Sequence, residues 1–239
     1  MTDQYAVIGN PISHSQSPLI HSEFAKQTGQ NIVYDRLSAP LDGFDRVASA
    51  FVGQGGKGLN ITLPFKGDAF RLAHQLTSRA SVCEAVNTLT FKDGVIYGDN
   101  TDGVGLVRDI VENLDMPIAG KRVLLLGAGG AVRGVLLPLL EEKPASLTVA
   151  NRTVEKAQAL ASQFAPYGAV RAVGYPDLMG EQFDIIINGT STSLHDELPP
   201  IPHGVFAPDA LAYDMVYSAG LTPFLKRAQQ EKAGMLADG

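Results

Sequence analysis

Short apolar runs alternate with longer stretches of helical spacing along almost the whole chain. That alternation predicts βαβ units on a largely parallel sheet. In the first half, strands are expected at residues 5–9, 33–39, 58–63, 87–91 and 95–98. Between the first two lies a polar loop, Asn10-Pro11-Ile12-Ser13-His14-Ser15-Gln16-Ser17, in which Ser17 and Pro18 read as the N-cap and first-turn proline of a helix that Gly29 closes. A second helix is expected near residues 44–52, and Lys92-Asp93-Gly94 is expected to turn a hairpin. Asp102-Gly103 leads into a helix running to about Leu114.

A second αβ series begins at Arg122. Its expected strands are residues 122–126, 146–150, 169–173, 184–188 and 210–216, with helices at 130–142, 154–164 and 223–230. Residues 123–140 are apolar enough to suggest a membrane span, but Arg133, a glycine cluster and Pro138 divide them into a buried strand followed by a buried helix. The fold class is α/β, with two α/β domains expected at residues 1–102 and 103–239.

Composition narrows the classes. Of 239 residues, 45% are hydrophobic and 18% charged, so the chain buries a core rather than remaining disordered. A net charge of −6 argues against nucleic-acid binding. Met1-Thr2-Asp3-Gln4 carries an acid where an export signal carries positive charge, and no membrane anchor is expected. The single Cys83 excludes an intramolecular disulfide and cannot alone make a zinc site, and it reads as a small core residue. His14 reads as a plain loop residue and His21 as structural, while His74, His195 and His203 have no ligand spacing, so no metal is expected. A reducing cytoplasm is the expected location.

The strongest chemical signal is Val123-Leu124-Leu125-Leu126-Gly127-Ala128-Gly129-Gly130-Ala131, a buried strand entering a glycine-rich turn and a helix. Glycines there let the backbone approach a pyrophosphate, whose charge the helix N-terminus favours. An acid about 20 residues on would accept the ribose 2′-hydroxyl of NAD. Asn151-Arg152-Thr153 stands there instead, and Arg152 can pair with a 2′-phosphate, aided by Thr153 and Lys156, so NADP is favoured. A solvated Arg152 and a purely capping Thr153 remain the alternatives. In the first half, Asn60-Ile61-Thr62-Leu63-Pro64-Phe65-Lys66 and Tyr97-Gly98-Asp99-Asn100-Thr101-Asp102-Gly103 place polar groups at strand ends, where open α/β sheets bind ligands. Spacing alone leaves Lys66 open as a solvated helix start and Asp102 as an N-cap.

Taken in order, Ser15-Gln16-Ser17-Pro18, the Asn60–Lys66 segment, Ala85-Val86-Asn87-Thr88, Asp99-Asn100-Thr101-Asp102-Gly103, the Gly127 turn, Asn151-Arg152-Thr153 and Met215-Val216-Tyr217 resemble the shikimate dehydrogenase family. The resemblance implies two α/β domains, the second a Rossmann-type NADP-binding domain, with the active site in the cleft between them. It implies an NADP-dependent oxidoreductase of aromatic amino-acid biosynthesis that reversibly reduces 3-dehydroshikimate to shikimate. Lys66 and Asp102 would be catalytic. Ser15, Ser17, Thr62, Lys66, Asn87, Asp102 and Tyr217 would bind substrate. Gly127, Ala128, Gly129, Gly130, Ala131, Asn151, Arg152, Thr153, Lys156, Met215 and Gly239 would bind NADP(H).

Some positions depart from the family pattern. Gly189 stands where Ala is frequent, Thr192-Ser193-Leu194-His195 replaces a glycine-rich continuation, and Lys156 replaces a frequent Arg. The family also continues beyond the Ala233-to-Gly239 stretch into helices that return to the first domain and carry a substrate-contacting Gln, which this chain is expected to lack. The alternatives are a quinate/shikimate dehydrogenase accepting NAD and a non-catalytic NADP-binding sensor. The expected partner is the small-molecule substrate, with the protein a monomer or homodimer.

Overall fold

The computed structural model describes residues 2–239. Its contacts divide the chain into two compact units, Met1–Thr101 and Asp102–Gly239. Each is an α/β unit.

The first unit carries a six-stranded sheet. Its elements are β1 (Asp3–Gly9), α1 (Ser17–Thr28), β2 (Ile32–Ser38), α2 (Phe44–Gly53), β3 (Gly58–Ile61), α3 (Lys66–Leu72), β4 (Gln75–Leu76), α4 (Ser78–Cys83), β5 (Thr88–Lys92) and β6 (Val95–Asp99). The strand order is β2-β1-β3-β5-β6-β4. β2, β1 and β3 are parallel, whereas β5 runs antiparallel to both β3 and β6. Consecutive buried residues Ala6, Val7 and Ile8 mark β1 as an inner strand covered on both faces. In α2, Phe44, Ala48 and Phe51 recur at helical spacing and bury one face, with Phe44 packing on Phe65 at a ring separation of 5.3 Å. Asp93 and Gly94 both have positive φ in the β5–β6 turn, the backbone that the Asp-Gly pair anticipates.

The second unit contains α5 (Asp102–Arg108), a π-helical turn (Asp109–Asn113), β7 (Arg122–Leu126), α6 (Gly130–Glu141), β8 (Ser146–Ala150), α7 (Val154–Phe164), β9 (Arg171–Val173), β10 (Phe183–Asn188), β11 (Phe206–Asp214), α8 (Pro223–Gln230) and β12 (Met235–Asp238). All six strands are parallel, in the order β12-β11-β10-β7-β8-β9. Chain direction reverses across the sheet between β7 and β10. That is the order of a doubly wound dinucleotide-binding fold, whose ligands lie beyond the carboxyl ends of the strands at this switch point. Val123, Leu124, Leu125 and Leu126 are all fully buried, as a central strand covered on both faces requires.

Several local expectations need correction. Ser17 is the first residue of α1 rather than its cap: Gln16 occupies the cap position, and the Ser15 hydroxyl accepts from the Ser17 N–H at 3.3 Å. Thr153 does sit at the cap of α7, but its side chain makes no capping bond. The expected helix from Asp102 to Leu114 changes register at Asp109, where the Leu114 N–H reaches back five residues to the Asp109 carbonyl. The strand expected at 210–216 begins earlier and ends at Asp214, so Met215 and Tyr217 lie in the loop beyond it. β4 and β12 have no sequence signal, being short and only partly buried. Cys83 is buried, as expected of a small core residue.

Candidate functional site

In the first unit, the parallel strands β1, β3 and β6 end at one edge of the sheet, and the antiparallel β5 begins there. This edge collects the polar residues singled out in the sequence. Ser15 and Ser17 follow β1, Thr62 and Lys66 follow β3, and Asn87 precedes β5. The Ser15 hydroxyl donates to the Ser17 hydroxyl at 3.1 Å, and the Arg36 guanidinium donates from Nε to the Ser15 carbonyl at 2.9 Å, fixing the loop. Lys66 opens α3, and its carbonyl accepts from the Val86 N–H at 2.9 Å, which joins the start of that helix to the residue before Asn87. Asn87 Oδ1 accepts from the Thr88 hydroxyl at 2.9 Å and from the Thr101 N–H at 3.0 Å, so its amide orientation is set.

One buried residue absent from the sequence reading, Tyr34, helps connect these groups. The Tyr34 phenol donates to Asn60 Oδ1 at 2.6 Å. Asn60 Nδ2 donates to the Thr88 hydroxyl at 3.4 Å, and Thr88 donates on to Asn87. One chain of hydrogen bonds thus runs from Tyr34 through Asn60 and Thr88 to Asn87. His21 stacks on Tyr34, with ring centroids 4.2 Å apart and planes 5° from parallel. Burial pushes the Tyr34 phenol well above its usual range and the His21 imidazole below its own, so both favour the neutral form. No isolated motif reveals Tyr34, which lies third in β2 beside Tyr5 and reaches Asn60 only through its phenol.

The acid-and-amide cluster after β6 divides into separate tasks. Asp99 accepts from Arg79 Nε and Nη2 at 2.7 and 2.6 Å and from the Thr77 hydroxyl at 2.6 Å. The Arg79 hydrogen bonds hold its carboxyl below the usual range, against the opposing effect of burial. Asn100 is buried and donates to the Ala85 carbonyl at 3.1 Å. Asp99 and Asn100 therefore fasten the sheet edge. Asp102 opens α5 in the second unit.

In the second unit, the turn from β7 to α6 has the shape a phosphate site needs. Gly127 adopts φ +106°, a conformation side chains rarely accept, and its N–H donates to the Ala150 carbonyl at 2.8 Å. Gly129 caps α6 in extended conformation, with no side-chain cap, and a Cβ there or on Gly130 would meet no protein atom within 4 Å. Neither backbone strain nor internal packing therefore demands glycine at 129 or 130. The open space lies over the amino end of a 12-residue helix, which suits a pyrophosphate. Ala128 and Ala131 flank this opening and are half-buried.

Asn151, Arg152 and Thr153 follow β8, on the neighbouring side. Asn151 Nδ2 donates to the Thr153 carbonyl at 2.7 Å. Arg152 is exposed and lines a pocket of about 460 Å³ with Val154, Gly174, Tyr175, Pro176 and Asp177. Burial raises the Tyr175 phenol, and the nearby Arg152 charge opposes that rise. Asp177 is occupied in accepting from the Gly174 N–H at 2.9 Å. Lys156, exposed in the first turn of α7, adds a further cation on this side.

Across the switch point, Met215 follows β11 and Gly239 follows β12. The Met215 N–H donates to the Asn188 carbonyl at 3.0 Å and the Gly239 N–H to the Asp214 carbonyl at 3.1 Å. Gly189 has a local reason for departing from alanine: a Cβ there would lie 2.5 Å from Val132 Cγ2 and 3.4 Å from Met215 Sδ. Tyr217 is exposed in the loop beyond. Beneath these residues, Asn188, Asp214 and Thr222 are buried polar groups that no sequence motif isolates.

Known proteins resemble this chain over both units. The family model for the shikimate dehydrogenase substrate binding domain matches residues 7–89, and that for shikimate / quinate 5-dehydrogenase matches residues 106–195. A shikimate dehydrogenase (NADP+) of Chromobacterium violaceum is 74% identical over 239 residues, covering 100% of this chain and 88% of that protein. The crystal structure of an Ael1 enzyme from Pseudomonas putida is 48% identical with a TM-score of 0.91, covering 100% of this chain and 88% of that one. The structure of shikimate 5-dehydrogenase from Thermus thermophilus in complex with NADP(H) and shikimate is 29% identical with a TM-score of 0.87, covering 98% and 86% of the two chains. With both halves matched in order by the family's own models, the chain belongs to the shikimate dehydrogenase (NADP+) family.

Proposed function

We propose that this protein catalyses the reversible NADPH-dependent reduction of 3-dehydroshikimate to shikimate. The observation that carries the reading is the open glycine turn at the β7–β10 switch point, with Arg152 in place of an acid beyond the next strand. The backbone of Gly127, Ala128, Gly129, Gly130 and Ala131 holds the pyrophosphate. Arg152 grips the 2′-phosphate with a planar fork, assisted by Asn151, Thr153 and Lys156. Met215 and Gly239 bound the nicotinamide end. The cofactor supplies the hydride.

The first unit supplies most of the substrate groups. Ser15 and Ser17 donate hydroxyl hydrogen bonds to the substrate carboxylate. Thr62, Asn87 and Asp102 hold the ring hydroxyls, and Tyr217 completes the contacts. Reduction of a ketone builds negative charge on its oxygen, and the Lys66 ammonium stabilises that charge and donates the proton. Asp102 is the second catalytic residue of this reading. The protein is a cytoplasmic enzyme, a monomer or a homodimer, which its single buried thiol suits.

The test is shikimate-dependent reduction of NADP+, followed by NADPH absorbance, with NAD+ in parallel. Turnover with NADP+ preferred is expected. Turnover with both cofactors alike would favour an NAD-accepting quinate/shikimate enzyme, and cofactor binding without turnover a sensor.

A further inference from the structure

Asp214 ends β11 with no exposed surface, yet it receives donors from three separate segments. Asn188 Nδ2 and the Val216 N–H donate to Oδ1 at 3.2 and 3.1 Å. The Ser193 and Thr222 hydroxyls donate to Oδ2 at 2.7 and 2.6 Å. A buried carboxyl group is costly unless its oxygens are well bonded, and an apolar residue would end the strand without that cost. What distinguishes this position is the set of segments that the four bonds join.

Ser193 belongs to the loop after β10. In the same loop Thr190 donates to Asn188 Oδ1 from its N–H at 3.1 Å and from its hydroxyl at 2.6 Å. Val216 follows Met215 directly, so the bonds to Asp214 Oδ1 and to the Asn188 carbonyl hold the chain on both sides of Met215. Thr222 caps α8, its hydroxyl accepting from the Leu225 N–H at 3.3 Å. Gly239 is bonded to the carbonyl of the same aspartate. Every segment expected at the nicotinamide end is thereby fastened to one residue, while Arg152 lies beyond β8 on the other half of the sheet.

We propose that Asp214 is a positioning residue that sets the nicotinamide half of the cofactor site through the loops carrying Met215 and Ser193. The proposal rests on the NADP-binding reading above. A carboxylate suits the position because it only accepts, and both of its oxygens face donors. An amide would turn an N–H₂ group toward two of them. Asp214→Asn keeps the shape but disturbs this pattern, and Ser193→Ala removes the loop's tie alone.

The probe that separates the two halves of the site is adenosine 2′,5′-bisphosphate, which carries the 2′-phosphate and no nicotinamide. Its affinity is measured beside kcat for shikimate oxidation and the melting temperature, in wild type and both variants. Asp214→Asn is expected to lower kcat by about 10- to 100-fold, the scale of an ångström's misplacement. Ser193→Ala should lower it less, and both should bind the bisphosphate as wild type does. Wild-type kcat in both variants would overturn the proposal. So would a joint fall of melting temperature, bisphosphate affinity and kcat, which marks a merely structural role. If Asp214→Asn does not fold, Ser193→Ala decides by the same outcomes. Failure of the wild type to bind the bisphosphate would instead remove the NADP reading beneath the proposal.

Discussion

Gly103 crosses Gly134 so closely that a methyl group on Gly103 would stand 2.5 Å from the Gly134 carbonyl oxygen. The same methyl would meet Pro138 Cγ at 2.6 Å, so the start of α5 is seated on the backbone of α6. Asp102 is the residue immediately before this contact. Gly103→Ala should cost about 1–3 kcal/mol of stability, as overpacking a tight contact does, and should lower activity by displacing Asp102. Chemical denaturation reads the first effect, and unchanged stability would contradict the contact.

Under the proposed function, Arg152 selects the cofactor. Its charge-assisted contact exists only for a 2′-phosphate, so Arg152→Ala should weaken NADP+ by about 1.5–3 kcal/mol and leave NAD+ nearly unchanged. Comparing kcat/KM for both cofactors checks this. Equal losses would mean that the exposed guanidinium does not select between them.

Tyr34 should influence substrate without touching the cofactor. Tyr34→Phe deletes the donor to Asn60 and removes the head of the relay to Asn87. Leaving the half-buried Asn60 acceptor without its donor should cost at most about 1–3 kcal/mol, part of which should appear as a raised KM for shikimate. The KM for NADP+ should stay at its wild-type value. A variant with both values unchanged would show that the relay is dispensable.

Much of this arrangement is legible along the chain, and the reasons are physical. Val123–Leu126 announces a central parallel strand because burial on both faces makes a continuous apolar run, and the glycines mark the turn that follows. The position of Arg152 directly after β8 is legible because a near-continuous apolar run marks that strand. The Tyr34 relay and the Asp214 hub are not, because each joins residues whose meeting depends on strand register rather than spacing. Asp99 and Asn100 resemble site residues only through proximity to Asp102, whereas their side chains point to Arg79 and Ala85. Edge strands such as β12 are half-buried and leave no periodic trace.

Acid should loosen the first unit through Asp99. Its folded carboxyl titrates below the ordinary value near 3.9, first because of Arg79. A depressed carboxyl contributes stability that is present above the unfolded value and lost as pH falls through the folded one. Stability should therefore decline below about pH 4, and Asp99→Asn should make that decline shallower. Asp184 beside Arg122 and Glu181 beside Arg171 are lowered in the same way and act in the second unit, so part of the acid slope should survive. An unaltered slope in Asp99→Asn would remove this pair from the account.

The catalytic reading turns on Lys66, and the decisive measurement is kcat for shikimate-dependent NADP+ reduction by Lys66→Ala beside wild type. A proton-transfer role predicts a fall of about 10²–10⁴-fold in kcat, with shikimate binding affected far less. A variant with wild-type kcat and a raised KM would show that Lys66 only binds substrate, and would contradict the mechanism.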